Sequence, residues 1–132
     1  MVVTLSVDKT TYRSGEPVTM TLHARNTSDQ PVRHLRSGGP NKFSVADASG
    51  LTVWVAYWGQ AFPTVAETET IQPGEEKTST VVWKQEFCQA DGSVGGGPAR
   101  PGQFTVEGTW NSTGDPGGGS GWPAKAVTIT VE

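Results

Sequence analysis

The sequence has little of the material from which enzymes and metal sites are built. It contains one cysteine, Cys88, and two histidines, His23 and His34. No Cys or His pair has the spacing of metal ligands, and the turn carboxylates are isolated from one another. A thiol nucleophile needs a base and an electropositive surround, and the acidic Glu86 and Asp91 near Cys88 supply neither. We therefore expect a protein that is not an enzyme and binds no metal and no cofactor.

Charge and long apolar runs are scarce as well. Charged residues make up 17% of the chain, the net charge is −3, and the lysines and arginines are scattered singly, so no basic stripe for nucleic acid exists. No segment approaches the roughly 20 apolar residues of a membrane span. We expect no nucleic-acid partner and no membrane insertion. Localisation is expected to be cytoplasmic if Met1 is the native start, and extracellular or in the cell envelope if the chain is an excised domain.

A lone cysteine closes no disulfide within the chain, so the fold must be stable through its core alone. A chain of 132 residues is long enough for that, and its size favours one domain over residues 1–132. Glycine and proline are abundant, and no segment of useful length has the helical period. This composition favours strands and turns over helices.

The clearest local pattern is the segment from Tyr12 to Asn26, which predicts a turn followed by a strand. Gly15 and Pro17 are turn formers at its start, and from Val18 onward apolar and polar residues alternate strictly. Such alternation predicts a strand with one buried and one exposed face. The residues expected to be buried are Val18, Met20, Leu22 and Ala24, and the exposed ones are Thr19, Thr21, His23 and Arg25.

Similar short segments recur along the chain and are separated by turns. They include Val2 to Val7, Val53 to Trp58, Glu67 to Ile71, Gln103 to Trp110 and Ala126 to Val131, and the threonine-acidic alternation of Glu67 to Ile71 predicts an exposed strand. Two glycine-rich stretches, residues 90–102 and 111–124, are expected to be loops. The pattern predicts an all-β fold, an immunoglobulin-like antiparallel β-sandwich of about seven to nine strands.

Several motifs, in their order along the chain, resemble the BsuPI family, the intracellular proteinase inhibitors of bacilli and their relatives. They are Tyr12-x-x-Gly15-x-Pro17, Asn26-x-Ser28-Asp29-x-Pro31, Phe43-x-Val45-x-Asp47-x-x-Gly50-x-x-Val53-Trp54, Pro73-Gly74-Glu75, Trp83 and Pro101-Gly102-Gln103-Phe104-x-Val106. The resemblance covers roughly Val3 to Trp110. It implies an immunoglobulin-like fold and inhibition of a subtilisin-like serine protease, but it carries no inhibitory motif onto particular residues.

Four residues are candidates for contact with a protein partner: Phe62, Trp58, Arg100 and Trp122. An inhibitory loop is expected to be stiff, and the prolines of Gln60-Ala61-Phe62-Pro63 and Pro98-Ala99-Arg100-Pro101 fix φ there. Phe62 would suit an apolar specificity pocket. Trp58, Trp110 and Trp122 flank loops, where aromatic side chains serve as binding anchors.

Three functions remain open at this point. The first is a BsuPI-like inhibitor that binds a protein partner, most concretely a serine protease, through its loops. The second is a non-inhibitory immunoglobulin-like accessory module of a bacterial cell-envelope or multidomain protein. The third is carbohydrate binding through exposed tryptophans. The sequence does not fix the oligomeric state.

Overall fold

The structure, a computed structural model, describes residues 1–36, 40–57, 67–88, 94–98, 101–112 and 121–132. Within these ranges the chain forms strands and no helix. The strands are β1 (Val2–Val7), β2 (Thr11–Tyr12), β3 (Val18–Arg25), β4 (Val32–Arg36), β5 (Lys42–Asp47), β6 (Thr52–Val55), β7 (Glu67–Ile71), β8 (Glu76–Trp83), β9 (Glu86–Cys88), β10 (Val94–Pro98), β11 (Gly102–Trp110), β12 (Trp122–Pro123) and β13 (Val127–Val131).

Two sheets form the predicted sandwich. The first has the strand order β1-β3-β8, and the second has the order β2-β13-β11-β5-β6 with β12 beside β11. Two further pairs, β4 with β7 and β9 with β10, stand apart as two-stranded ribbons. The pairs are antiparallel except for β2 with β13. The all-β prediction is confirmed, with more strands than expected because pieces as short as β2 and β12 pair with their neighbours.

The alternation of β3 places its apolar residues in the core. Val18, Met20, Leu22 and Ala24 are fully buried, whereas Arg25 is exposed. The strand lies between β1 and β8, so both of its edges are hydrogen-bonded and its inner face meets the second sheet. The predicted buried face is therefore confirmed, whereas Thr19, Thr21 and His23 on the other face are half-buried rather than exposed.

Large side chains fill the space between the two sheets near one end of β11. Near the other end of β11 the backbones of the two sheets approach each other closely. Trp83 is fully buried, and its ring lies 5.7 Å from that of Phe104 on the opposite sheet. Towards the other end of β11, Gly108 faces Leu22, and a Cβ built on Gly108 would lie 2.9 Å from the Leu22 side chain. The missing side chain lets β11 approach β3 closely.

Gln85 holds the turn that precedes β3. Its side chain accepts a hydrogen bond from the Gly15 N–H at 2.9 Å and donates to the carbonyls of Arg13 and Glu16, both at 2.8 Å. Gln85 is fully buried and adopts a φ of 60°, an uncommon conformation for a residue with a side chain. The three hydrogen bonds satisfy its buried amide and connect the end of β8 to the start of β3.

Asn26 plays the same part at the other end of β3. Its Nδ2 donates to the carbonyls of Gln30 at 2.7 Å and Ile71 at 2.9 Å, while its Oδ1 accepts from the Ser28 N–H at 3.0 Å. Its carbonyl accepts from the Gly74 N–H at 2.8 Å. Gly74 has a φ of 76°, which makes Pro73-Gly74 a type II turn.

Three predicted segments differ from the structure. β6 ends at Val55 rather than continuing to Trp58, because Ala56 and Tyr57 form a turn in which Tyr57 adopts a φ of 61°.

The two glycine-rich stretches predicted as loops each contain a strand. The stretch 111–124 includes β12, which pairs with β11. The stretch 90–102 includes β10, which pairs with β9 and starts with Val94 opposite Cys88. Glycine keeps both backbone hydrogen-bonding groups, so Gly95 still pairs opposite Phe87 before the register shifts.

Replacing Gly121 by alanine is expected to destabilise the fold strongly. Gly121 has a φ of 115°, and an added Cβ would lie 2.5 Å from the Trp110 carbonyl oxygen. The matched control is Gly74→Ala, which has a similarly positive φ and no atom within 4 Å of the added Cβ. Chemical denaturation should give a loss of about 1 kcal/mol for Gly74→Ala and clearly more for Gly121→Ala. Equal losses would show that the contact with Trp110 is unimportant.

Candidate partner-binding end

Glu69 on β7 is the centre of a buried polar cluster between the β4–β7 ribbon and β11. Its Oε1 accepts hydrogen bonds from Nε2 of His34 at 2.7 Å, from Nε1 of Trp110 at 2.7 Å and from Arg36 at 3.3 Å. The Nζ of Lys77 lies 3.9 Å from its Oε2. The Glu69 side chain is 13% exposed, so this carboxylate has exchanged most of its water for donors from β4 and β11.

The donors keep Glu69 ionised. Burial alone would raise the pKa of its carboxyl, but the hydrogen bonds from Trp110 and His34 and the charge of Arg36 together hold that pKa below the ordinary value. An ionised carboxylate only accepts hydrogen bonds, so the His34 ring carries a proton on Nε2. The cluster therefore depends on negative charge at Glu69.

Arg36 extends the cluster to the chain on either side. Its guanidinium carbon lies 5.4 Å from the centroid of the Trp110 ring, and its second nitrogen donates to Oδ1 of Asn41 at 3.0 Å. The same Asn41 oxygen accepts from the backbone N–H of Asn111 at 2.8 Å. One arginine thus connects β4 with the start of β5 and the end of β11.

His34 is buried against Trp122. Its side chain is 1% exposed, and the two rings meet edge to face with their centroids 4.7 Å apart. Nδ1 of His34 has no hydrogen-bond partner among the described residues. Trp122 pairs with Trp110 in the β11–β12 ladder, so the cluster also fixes the position of this half-buried tryptophan.

The end of the sandwich at which β11 finishes is called here the Trp110 end. Ser112 donates from its hydroxyl to the carbonyl of Leu35 at 3.2 Å, and Asn111 donates from its side chain to the carbonyl of Pro40 at 3.4 Å. Arg36 is paired in register with Glu67. The Trp110 end therefore contains the described residues on either side of segments 37–39 and 113–120. It also contains the described residues that follow segment 58–66.

A cavity of about 400 Å³ opens at this end beside Tyr57. It is lined by residues 40–44, 55–57 and 107–109 together with Asn111. Tyr57 is 38% exposed, and its positive φ is the kind of backbone strain that occurs at ligand-contacting sites. The residue that precedes segment 58–66 is thus an exposed aromatic at the mouth of a cavity.

The opposite end of the sandwich, called here the Gly102 end, is built differently. β11 starts there with Gly102 opposite Val131, and the hairpin after β5 closes there through Asp47. Oδ1 of Asp47 accepts hydrogen bonds from Ser49 and from the N–H of Leu51 at 3.0 Å, and these bonds lower its pKa. Asp47 is a turn former, as the sequence predicts.

Of the four candidate residues, the structure describes only Trp122; Trp58, Phe62 and Arg100 lie outside the described residues. The described residues that flank segment 58–66, Tyr57 and Glu67, are at the Trp110 end, and Pro101, which follows segment 99–100, is next to Gly102. Trp122 is half-buried at the Trp110 end.

Trp110 flanks a loop, but of the two roles open to it, packing and partner binding, the structure shows packing. Its side chain is 2% exposed, and its indole N–H donates to Glu69. Trp83 is fully buried as well. Within the described ranges no tryptophan is exposed as a platform for a sugar ring.

Sequence reasoning missed His34, Arg36 and Glu69 as one cluster. The strand Glu67–Ile71 is predicted to be exposed, and Glu67 and Thr68 are, but Glu69 is half-buried with its side chain only 13% exposed, because β7 pairs with β4 and this carboxylate meets Trp110. A signal does exist in the sequence: alternate positions of β4 carry basic groups, and alternate positions of β7 carry acids. It becomes informative only once the two strands are known to pair.

The described residues form no cluster of metal ligands and no membrane-spanning helix. No group of three or more His, Cys, Asp or Glu side chains there is arranged to hold a metal ion. Over the same residues, no helix is long and apolar enough to cross a membrane.

The sequence profile of BsuPI, a family described as intracellular proteinase inhibitor, matches residues 5–114. None of the curated proteins matches the chain significantly.

Among solved structures, an alkylpurine DNA glycosylase of Pseudomonas fluorescens, AlkC, bound to DNA with an abasic site analogue, aligns with a TM-score of 0.54 at 10% identity, over 98% of this chain and 30% of that chain. A β-glucosidase of Erythrobacter marinus aligns with a TM-score of 0.51 at 13% identity, over 98% of this chain and 15% of that chain. A CARDB domain of Pyrococcus furiosus in complex with di-metal ions aligns with a TM-score of 0.50 at 14% identity, over 98% of this chain and 90% of that chain. At such identities the likeness shows the fold alone.

Proposed function

Because this chain belongs to the BsuPI family of intracellular proteinase inhibitors, we propose that it inhibits a subtilisin-like serine protease by occluding the active-site cleft with its Trp110 end. The family match over residues 5–114 is the observation that carries the proposal. A proteinase is the partner that the family implies, and the family is not catalytic. The serine class, the occlusion and an intracellular location for this chain are parts of the proposal.

The construction of the Trp110 end supports its role as the contact surface. An inhibitor binds tightly when its contact segments lose little freedom on binding, which requires rigid supports. Glu69 and Arg36 tie β4, β7 and β11 together with hydrogen bonds that have little exposure to water. The described residues that flank segments 37–39, 58–66 and 113–120 therefore belong to a rigid frame.

The proposed contact residues are Phe62, Trp58 and Trp122. Tyr57 and Glu67, the described residues that flank segment 58–66, lie at the Trp110 end. Apolar and aromatic side chains commonly fill the specificity pocket of a protease or the centre of an interface. Arg100 is assigned no contact in this proposal, because the described residue that follows it, Pro101, is next to Gly102 at the opposite end.

A panel of proteases tests the class of the target. We expect the purified chain to inhibit a subtilisin-like serine protease and to leave a papain-like cysteine protease and a zinc metalloprotease active at the same concentration. Because the cleft is occluded, raising the peptide substrate concentration should relieve the inhibition. Inhibition of the cysteine protease alone would overturn the serine class. Inhibition that substrate does not relieve would overturn the occlusion.

A second candidate function is an accessory module without a protease target. It is favoured by the coverage of the structural matches, since the chain spans 15% of the β-glucosidase and 30% of the DNA glycosylase. The same sandwich is therefore used as one part of much longer proteins. Absence of inhibition across the whole panel would favour this function.

A further inference from the structure

The first sheet has an open edge at β8. On β3 the inward-facing Ala24, Leu22 and Met20 are fully buried, but their neighbours on β8 in the same register, Lys77, Ser79 and Val81, are only half-buried. The two strands face the same second sheet, so the difference arises because β3 has a strand on both sides and β8 has one on a single side. Among the described residues, no strand covers the outer edge of β8.

This edge is well suited to pairing with another strand. β8 is eight residues long, contains no proline and pairs with β3 over its full length without a bulge. β6, which ends the second sheet, is four residues long and has a register shift against β5. Long, regular edges are ready templates for strand addition, whereas short or bulged ones are protected. Val82 on the outward face is 46% exposed, an apolar group without cover.

The charges at the two ends of β8 select the partner. Glu76 begins the strand, with Nδ1 of His23 3.6 Å from its carboxylate, and Lys84 directly follows the strand. Both are exposed, and Lys84 has no ion-pair partner among the described residues. If a second β8 pairs antiparallel about Thr80, Glu76 of each copy lies opposite Lys84 of the other. The same register places Val82 opposite Thr78. The edge is therefore complementary to itself.

Neighbouring registers are less favourable. If the two-fold axis between the two β8 strands passed through Val81 instead of Thr80, Glu76 of one copy would lie opposite Glu86 of the other. If the axis passed through Ser79, Glu76 of one copy would lie opposite Val82 of the other. A shift by one residue would pair outward-facing with inward-facing positions. Lys77, the inward-facing charge that could oppose pairing, has Glu69 as its neighbour at 3.9 Å.

We propose that two copies of this chain associate through antiparallel pairing of their β8 strands about Thr80, which joins the two three-stranded sheets into one six-stranded sheet. The partner strand is the β8 of a second copy, because Glu76 and Lys84 carry opposite charges and are each four residues from Thr80. This surface belongs to the first sheet, and the dimer is independent of the proposed protease contact.

Sedimentation equilibrium of the full chain tests the dimer, with charge reversals as the probe. We expect a concentration-dependent equilibrium of monomer and dimer. Glu76→Lys alone, or Lys84→Glu alone, places two pairs of like charges across the interface and should raise the dissociation constant about tenfold. The double variant restores opposite charges and should return the dissociation constant to within about twofold of the original.

The matched control for Lys84→Glu is Lys125→Glu, an exposed lysine outside the first sheet, which should leave the dissociation constant unchanged. Thermal unfolding checks that each variant is folded. A chain that stays monomeric to its solubility limit overturns the proposal. A dimer in which the double variant is as weak as the single ones overturns the register, because the two charges would then not face each other.

Discussion

Replacement of Glu69 by alanine is expected to lower the free energy of unfolding by about 3 kcal/mol. The substitution leaves the indole N–H of Trp110 and the charged Arg36 without their acceptor in a buried site. Breaking a buried ion pair typically costs 3–5 kcal/mol, and the lower end of that range applies because Glu69 keeps some exposure to water. Denaturant titration followed by tryptophan fluorescence measures the loss.

Glu69→Gln separates charge from shape in the same experiment. Glutamine keeps an acceptor for Trp110 but no negative charge for Arg36, so the loss should be smaller than for alanine but still clear. Lys77→Ala is the peripheral control, because its nitrogen is 3.9 Å away and its side chain is 36% exposed; we expect less than about 1 kcal/mol. Alanine and glutamine variants as stable as the original would contradict a central role for Glu69.

We expect the contribution of Glu69 to the free energy of unfolding to depend on pH. The pKa of Glu69 is lowered in the folded state from its ordinary value of 4.5, so the unfolded chain takes up the proton first as the pH falls. The stability due to Glu69 is therefore fully present above pH 4.5 and is lost as the pH falls through the folded pKa. The difference in stability between the original chain and Glu69→Gln should shrink below pH 4.5, while Asp8, Glu16 and Asp47 titrate in both proteins.

Replacement of Phe62 by alanine is expected to raise the inhibition constant against a subtilisin-like protease about thirtyfold or more. An aromatic residue at the centre of an interface typically contributes 2 kcal/mol or more, and 1.4 kcal/mol corresponds to a factor of ten. The matched comparison is Arg100→Ala, because Pro101, the described residue after Arg100, is next to Gly102. This substitution should change the inhibition constant by less than about threefold.

The two substitutions together locate the contact surface. A large effect of Arg100→Ala with none of Phe62→Ala would move the contact to the Gly102 end. Large effects of both would contradict occlusion by one end, since Gly102 and Trp110 are at opposite ends of β11. Circular dichroism and thermal unfolding of both variants serve as the control, and a changed inhibition constant counts as a contact effect only where both are unchanged.

The strands could be predicted from the sequence because their signal is local. The alternation of Val18 to Arg25 and the turn formers around it need no knowledge of the rest of the chain. β11 was predictable for the same reason, since Phe104 and Val106 alternate with polar residues and are buried. The end of β6 was not, because the positive φ of Tyr57 is uncommon for tyrosine.

The polar cluster could not be predicted because it is not local. His34 and Glu69 are 35 residues apart, and Trp110 is 41 residues beyond Glu69. Glu69 alternates with threonine, a pattern that is typical of an exposed strand. The pairing of β4 with β7 turns it inward, and the indole of Trp110 and the imidazole of His34 make its burial tolerable.

Inhibition by the Trp110 end can be measured by titrating a subtilisin-like intracellular serine protease with the purified chain while the intact mass of the chain is followed. We expect the protease activity to fall linearly to zero at one equivalent of chain, and we expect the chain to keep its full mass. Inhibition by this end would be contradicted by full protease activity at micromolar excess of intact chain, or by a loss of activity that ends once the chain has been cleaved.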